Sequence, residues 1–282
     1  MKAPIVLRKE ISLSSMHLKM ISSGWGPAVV ENTITEKITY LSDELKINGY
    51  VSYPIDRTKK YPCVLWNRGG YGENGSIDEF NARGILGQIA SWGYVVLASQ
   101  YRGNAGSQGK DEFGGEDVND ILNLIPLAEE FEFADNNIWG IEGWSRGGMM
   151  TYLALTKINI FKAAIVSGGI ADLHCAEKTS EFRDVLKKTN LFHSNEQIKS
   201  MCYSRSIINF PEKLCRATPI LLLHGTNDDR VPVSDSQNLS VKLTKLNREH
   251  KLVLLEGGDH FLKSHRKEVD RMRKDWFAKY LE

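Results

Sequence analysis

The chain has 282 residues, of which 41% are hydrophobic and 25% charged, and its formal net charge is +1. This is enough for one large domain or two modest ones, and the near-neutral charge argues against a polyanionic partner such as nucleic acid. The four cysteines, at positions 63, 175, 202 and 215, show no metal-ligand spacing, and no run is apolar enough for a signal peptide or a membrane span. We therefore expect free thiols and a soluble, cytoplasmic protein without metal or membrane association.

The first segment of the chain is compatible with more than one structure. Residues 1–33 form an N-terminal arm of undetermined structure, because ISLSSMHLKMISSG (11–24) is compatible with a strand pair or a helical arm. From residue 34, apolar and polar residues alternate around a turn at Ser42 to Glu44. This pattern predicts a hairpin with strands near Ile38–Leu41 and Lys46–Tyr53.

Strands and helices alternate from residue 61 onward. The strands are short, nearly continuous apolar runs, which is typical of a parallel sheet covered by helices on both faces. Together with the hairpin they predict an α/β fold with a mostly parallel, eight-stranded sheet. The predicted strands are 61–67, 93–100, 137–143, 161–169, 219–225 and 250–258, and the predicted helices are 78–92, 116–130, 146–157, 234–246 and 263–281.

A serine follows the strand at 137–143 in the stretch GIEGWSRGGMM (140–150). Ser145 is the centre of a G-x-S-x-G pattern with a strand before it and a helix after it, which is the setting of a nucleophile held on a sharp turn. The alternative is a glycine-rich turn whose serine only caps the helix.

An acid and a histidine follow the next strand ends. HGTNDDRVP (224–232) offers Asp228 and Asp229, and His260 directly follows the last strand. The chain order serine, acid, histidine at successive strand ends is that of an α/β-hydrolase. Ser145 would then attack, His260 would accept and return its proton, and the acid would orient the imidazole.

The oxyanion of such a reaction needs two aimed N–H donors. We assign one to the backbone of Trp144, beside the nucleophile, and the other to Gly70, with Tyr71 as the second choice. Gly70 lies in the loop NRGGYG (67–72), where glycines allow the backbone to approach a substrate oxygen.

These motifs resemble those of the prolyl oligopeptidase family of serine hydrolases. HGTNDDRVP resembles the family pattern HGxxDxxVP, which makes Asp228 the triad acid, and GWSRGG resembles GxSxGG. YRGNAG (101–106) and SRSIINFPEKL (204–214) resemble the family's YRGSxGYG loop and the end of its short cap. The resemblance covers 34–282 and implies an α/β-hydrolase catalytic domain with a small helical cap at 170–217, and a serine-type peptidase or esterase.

The sequence departs from the family in two places. Arg68 stands where many members have the histidine of HGGP, and it could bind an acidic substrate group or pair with an acid such as Glu73. Residues 1–33 leave no room for the β-propeller that many members carry, so the resemblance implies a catalytic domain alone.

The substrate stays open at this point, because a Ser-His-Asp triad cleaves esters and amides by one acyl-enzyme route. The alternatives are a hydrolase of short peptides or acyl esters, a carboxylesterase on a non-peptide ester, and a binding module without catalysis. Arg68 and Tyr71 are our substrate-pocket candidates, and the cap pieces 181–188 and 195–201 are the predicted pocket wall; Trp144, Phe192 and Tyr203 are further aromatic candidates. We expect a small-molecule or short-peptide substrate and no cofactor, and the oligomeric state stays open.

Overall fold

A computed structural model describes residues 5–173 and 194–282 of the chain. The predicted cap piece 181–188 and Phe192 therefore lie outside the described residues. The strands form one twisted sheet, and the helices pack on its two faces.

The sheet has nine strands in the order β1-β2-β3-β5-β4-β6-β7-β8-β9. The first three strands and β5 pair antiparallel, and β4 to β9 pair in parallel. The α/β fold is as predicted, but the strand count of eight was one short, because the N-terminal arm adds an edge strand. The strands are β1 (Ile5–Glu10), β2 (Thr33–Ser42), β3 (Leu45–Pro54), β4 (Tyr61–Asn67), β5 (Val95–Ser99), β6 (Ala134–Trp144), β7 (Phe161–Ser167), β8 (Ile220–Gly225) and β9 (His250–Leu255).

The helices lie close to their predicted positions. They are α1 (Ser15–Trp25), α2 (Pro27–Glu31), α3 (79–91, with a π-helical turn at Ala82–Leu86), α4 (Asp117–Leu122), α5 (Arg146–Lys157), α6 (Asn195–Arg205), α7 (Val233–Lys245) and α8 (Arg266–Leu281). The predicted helix 116–130 is interrupted: α4 ends at Leu122, and a 3-10 turn follows at Pro126–Glu130. Proline lacks the backbone N–H that a continued helix would need. In the described residues, no helix has the length and apolarity to cross a bilayer.

The N-terminal arm contains both a strand and a helix. The Ser14 hydroxyl accepts a hydrogen bond from the backbone N–H of His17, which starts α1 with an N-cap. At the other end of α1, the ring of Trp25 meets that of Phe80 at a centroid distance of 5.7 Å. The arm therefore packs on the helical layer beside the carboxyl ends of the strands.

The core lies on both faces of the sheet. Alternate residues of one strand enter different layers: Leu65 packs in one cluster, and Val64 packs in the other. The same alternation places Leu97 and Val96 on opposite faces, all of them fully buried. Burying such a side chain stabilises the fold by about 1.5–3 kcal/mol. Burial on two faces explains why the strands are continuous apolar runs, and it fixes the register that brings their carboxyl ends together.

Candidate active site

Ser145 stands on a sharp turn between β6 and α5. Its backbone has φ 57° and ψ −122°, and its N–H donates to the carbonyl of Ser167 at 3.0 Å. A Cβ on Gly143 would overlap the carbonyl of Gly147, and one on Gly147 would overlap that of Asn67, so the turn needs both glycines. The Ser145 hydroxyl makes no helix-capping hydrogen bond. The interpretation of Ser145 as an ordinary N-cap therefore fails.

Asp228 and His260 form a hydrogen-bonded pair beyond the ends of β8 and β9. The imidazole Nδ1 lies 2.8 Å from Oδ2 and 3.0 Å from Oδ1 of Asp228. The backbone N–H groups of Arg230 and Val231 each donate to Asp228 Oδ1 at 2.9 Å. Burial alone would raise the pKa of Asp228, but the hydrogen bonds from His224, His260 and the two backbone N–H groups hold that pKa well below its usual value. The Asp228 carboxylate that faces His260 is therefore charged. Asp229, the other candidate acid, is exposed.

His224 supports the loop that carries Asp228. It is fully buried, with Nδ1 at 2.7 Å from Ser236 Oγ and Nε2 at 3.0 Å from the carbonyl of Val231. Nε2 also lies 3.3 Å from Asp228 Oδ2. These contacts fix the loop that presents Asp228 to His260.

The serine is adjacent to this pair because β6, β7 and β8 are neighbours in the sheet. Gly168 directly follows β7, and a Cβ placed there would lie 3.1 Å from Asp228 Oδ2 and 3.5 Å from His260 Nδ1. Ser145 and His260 line one cavity. The residues predicted as nucleophile, acid and base thus lie together at one edge of the sheet.

The loop after β4 lies against the nucleophile. A Cβ on Gly69 would come within 3.8 Å of Ser145 Oγ, and both Gly69 and Gly70 line the cavity. Gly70 has φ +74°, and a side chain there would overlap the carbonyl of Asn74. Gly70 thus occupies a left-handed position with no room for a Cβ, in the loop that lines the same cavity as Ser145.

The assignment of Trp144 as an oxyanion donor needs correction. Trp144 precedes Ser145 and is the last residue of β6, and its indole N–H donates to the carbonyl of His260 at 3.0 Å. The residue after the nucleophile is Arg146, which begins α5. The first N–H groups of a helix have no partner within the helix, so the backbone N–H of Arg146 is the donor available beside Ser145.

The Arg146 side chain, for which the sequence suggested no role, holds the site together from behind. Its guanidinium is buried and forms ion pairs with Asp111, at 2.6 Å, and with Asp117. It also donates to the carbonyl of Gly70 at 3.1 Å and lies 4.7 Å from the ring centroid of Phe113. One side chain therefore ties the start of α5 to the glycine loop and to the segment before α4.

The two predicted substrate-pocket residues lie elsewhere. Arg68 is fully buried and donates to the carbonyls of Gln100 and Gly69, and burial together with the nearby Arg146 lowers its pKa to about 10. Glu73, its proposed partner, accepts from the backbone N–H of Ala105 instead. Tyr71 packs on Phe113 at 6.0 Å between ring centroids. Neither Arg68 nor Tyr71 lines the cavity, because both side chains point to the rear of the loop.

The cavity measures about 570 Å³ and extends from Ser145 towards α1, α3 and α8. Trp25, Trp66 and Trp144 supply aromatic surface, whereas Tyr203 is 57% exposed and lies outside the lining. The sequence analysis missed Arg230, Phe261, Lys263 and Arg266, which also line the cavity. Two of them could have been found from their proximity in sequence to the triad, since Arg230 is two residues after Asp228 and Phe261 directly follows His260.

Across 5–173 and 194–282, no group of three His, Cys, Asp or Glu side chains could hold a metal ion.

Comparison with known proteins gives consistent matches. A model of the prolyl oligopeptidase family matches residues 83–282. The uncharacterized peptidase YtmA of Bacillus subtilis is 30% identical over 213 residues, which cover 75% of this chain and 80% of that protein. The peptidase YuxL of the same organism is 28% identical over 90% of this chain and 40% of its own length. The structure of Pyrococcus horikoshii acylaminoacyl peptidase superposes with a TM-score of 0.74 at 25% identity, over 89% of this chain and 42% of that one. The chain thus spans less than half the length of the latter two.

Proposed function

The chain belongs to the prolyl oligopeptidase family of serine peptidases, and on that premise we propose that it cleaves short peptides through Ser145, His260 and Asp228. The observation that carries this proposal is the pairing of His260 Nδ1 with Asp228 at 2.8 Å, beside a serine held at φ 57° in the same cavity. The names of its relatives, which are peptidases, favour an amide substrate over a non-peptide ester.

The reaction would proceed through an acyl-enzyme. Ser145 Oγ attacks the carbonyl carbon while His260 Nε2 takes its proton, and the resulting imidazolium is stabilised by the charged Asp228. His260 then returns the proton to the leaving amine, and a water repeats the sequence to release the acid. Because Nδ1–H donates to Asp228, Nε2 is the nitrogen that is free to accept.

The oxyanion would be held by two backbone N–H groups, those of Gly70 and Arg146. Both belong to segments that Arg146 itself fixes through its bonds to the Gly70 carbonyl and to Asp111. Preorganised donors of this kind typically contribute about 10²–10³-fold each to kcat.

We further propose that 34–282 form the catalytic domain and that 170–217, of which α6 is described, form a small cap over it.

The test combines a covalent probe with two substrate classes. We expect a fluorophosphonate to label the protein at Ser145, as read by peptide mass spectrometry, and we expect aminoacyl p-nitroanilides to be hydrolysed. Hydrolysis of p-nitrophenyl acyl esters without any amide cleavage would contradict the peptidase proposal and leave an esterase. Absence of labelling at Ser145 would contradict catalysis altogether.

The two adjacent aspartates provide a matched pair of variants. Asp228→Asn should lower kcat by about 10⁴-fold, because the amide can donate to His260 and so favours the wrong imidazole tautomer. Asp229→Asn should change kcat less than about threefold, because Asp229 is exposed and makes no contact with His260 in the described structure. The kcat of both variants is measured on one substrate, and the reverse ranking would show that the acid had been assigned wrongly.

A further inference from the structure

We propose that the cavity binds the leaving half of the peptide and that Arg230 and Lys263 receive its free terminal carboxylate. The substrate class is then a short peptide with an apolar residue after the scissile bond and an unblocked C-terminus nearby. This inference rests on the proposed peptide hydrolysis and specifies which peptides that site takes.

The position of His260 determines the direction in which the peptide lies across Ser145. The imidazole must protonate the departing nitrogen, so the leaving half lies on the His260 side of Ser145. The residues that directly follow His260 build the cavity wall on this side, among them Phe261, Leu262 and Lys263. Gly69 and Gly70, which approach the serine from the loop after β4, line another part of the cavity.

The body of the cavity suits an apolar side chain. It is lined by three tryptophans and by Ile85 and Val269, and a volume of about 570 Å³ is within the range that encloses a small ligand. Trp25 comes from α1, outside the residues 83–282 that match the family model. The N-terminal arm therefore contributes directly to this wall.

The charge of the lining favours an anion. Arg230 and Lys263 lie 4.8 Å and 5.3 Å from the ring centroid of Phe261, which is itself 5.4 Å from the His260 ring. The aromatic ring thus holds two cations beside the catalytic imidazole. Within residues 5–173 and 194–282, neither cation forms an ion pair with a carboxylate.

The other lining charges are already compensated. Arg273 pairs with Glu142 at 2.6 Å and with Asp270 at 2.8 Å, and Arg266 lies 3.9 Å from Asp270. Asp270 is the single carboxylate among the described lining residues, and it is engaged by these arginines and by Gln88. The surplus positive charge is therefore at Arg230 and Lys263, where a guanidinium can bind a carboxylate by two hydrogen bonds.

The test measures binding without turnover. A Ser145→Ala protein is titrated calorimetrically with acetyl-Ala-Ala-Phe-Ala as the free acid and as the C-terminal amide. We expect the acid to bind about tenfold more tightly in low salt, with the difference shrinking as the salt rises from about 0.05 to 0.5 M because the two cations are exposed. Adding Arg230→Gln and Lys263→Gln should reduce the preference to less than about twofold.

The matched control is Lys267→Gln, an exposed cation of α8 outside the cavity lining, which should retain the preference. Equal affinity for acid and amide, no measurable binding of either, or a preference that survives the double substitution would overturn this inference. Labelling of the unmodified protein at Ser145 by a fluorophosphonate is measured in parallel. Labelling at Ser145 together with equal affinities for the acid and the amide would reject only the carboxylate site. Failure to label Ser145 would reject the proposed function itself.

Discussion

Replacing Ser145 with alanine is expected to lower kcat by about 10⁴-fold or more and to leave the protein folded. The substitution removes the attacking oxygen but retains the donors of Gly70 and Arg146, so a small residual rate over water should remain. The Ser145 hydroxyl does not cap α5, so its loss should change the free energy of unfolding by less than about 1 kcal/mol. Hydrolysis of a p-nitroanilide and urea unfolding measure the two effects.

The backbone of Ser145 allows a sharper form of this experiment. A non-glycine residue at φ 57° and ψ −122° carries strain of about 1–3 kcal/mol. Ser145→Gly should therefore be as inactive as Ser145→Ala but more stable than it, although glycine gains entropy in the unfolded chain. The exposed Ser264→Ala is the control and should retain both activity and stability. If Ser145→Ala kept more than about 1% of the activity, another nucleophile would be at work.

The alternation of strands and helices was predictable from the sequence, because a strand that is buried on both faces is a continuous apolar run. The strand at 61–67 and the helix at 146–157 have the bounds that the sequence predicted, since the strand is one apolar run and a glycine turn precedes the helix. Strand β1 has no such apolar run. Its residues are mostly exposed, and it pairs with β2 through backbone hydrogen bonds, which require no apolar pattern.

The candidate triad was predictable for a related reason, whereas its surroundings were not. Ser145 follows β6 directly, Asp228 and His260 lie in the loops that follow β8 and β9, and parallel strands end at one edge of the sheet. The direction of a side chain beside a glycine turn depends on packing, so Arg68 and Tyr71 were assigned to the wrong side of their loop. Trp25 reaches the cavity from a segment far away in sequence, and no local pattern indicates such a contact.

The largest effect on stability is expected from Arg146→Leu, which should lower the free energy of unfolding by about 3–5 kcal/mol at neutral pH. The guanidinium is 1% exposed, and without it Asp111 would be a buried charge with no cation in contact. The carbonyl of Gly70 would also lose its donor, so the folded fraction should have little activity. Urea unfolding measures the loss, and the exposed Arg271→Leu is the control, which should be nearly neutral.

The pH dependence of this variant separates the buried charge from simple loss of packing. In the unmodified protein, burial would raise the pKa of Asp111, but Arg146 and the neighbouring donors hold that pKa below its usual value. The stability from this carboxylate is therefore present above its unfolded pKa of about 3.9 and is lost as the pH falls through the lower folded pKa.

In Arg146→Leu, burial without the cation should raise the pKa of Asp111. The deficit in the free energy of unfolding should therefore shrink between about pH 7 and 5 as the carboxyl takes up a proton. Adding Asp111→Asn should recover part of the lost stability at pH 7, because it removes the charge of one of the two carboxylates that pair with Arg146. A deficit that stays constant with pH, or a double variant less stable than Arg146→Leu alone, would show that packing and not charge makes Arg146 necessary.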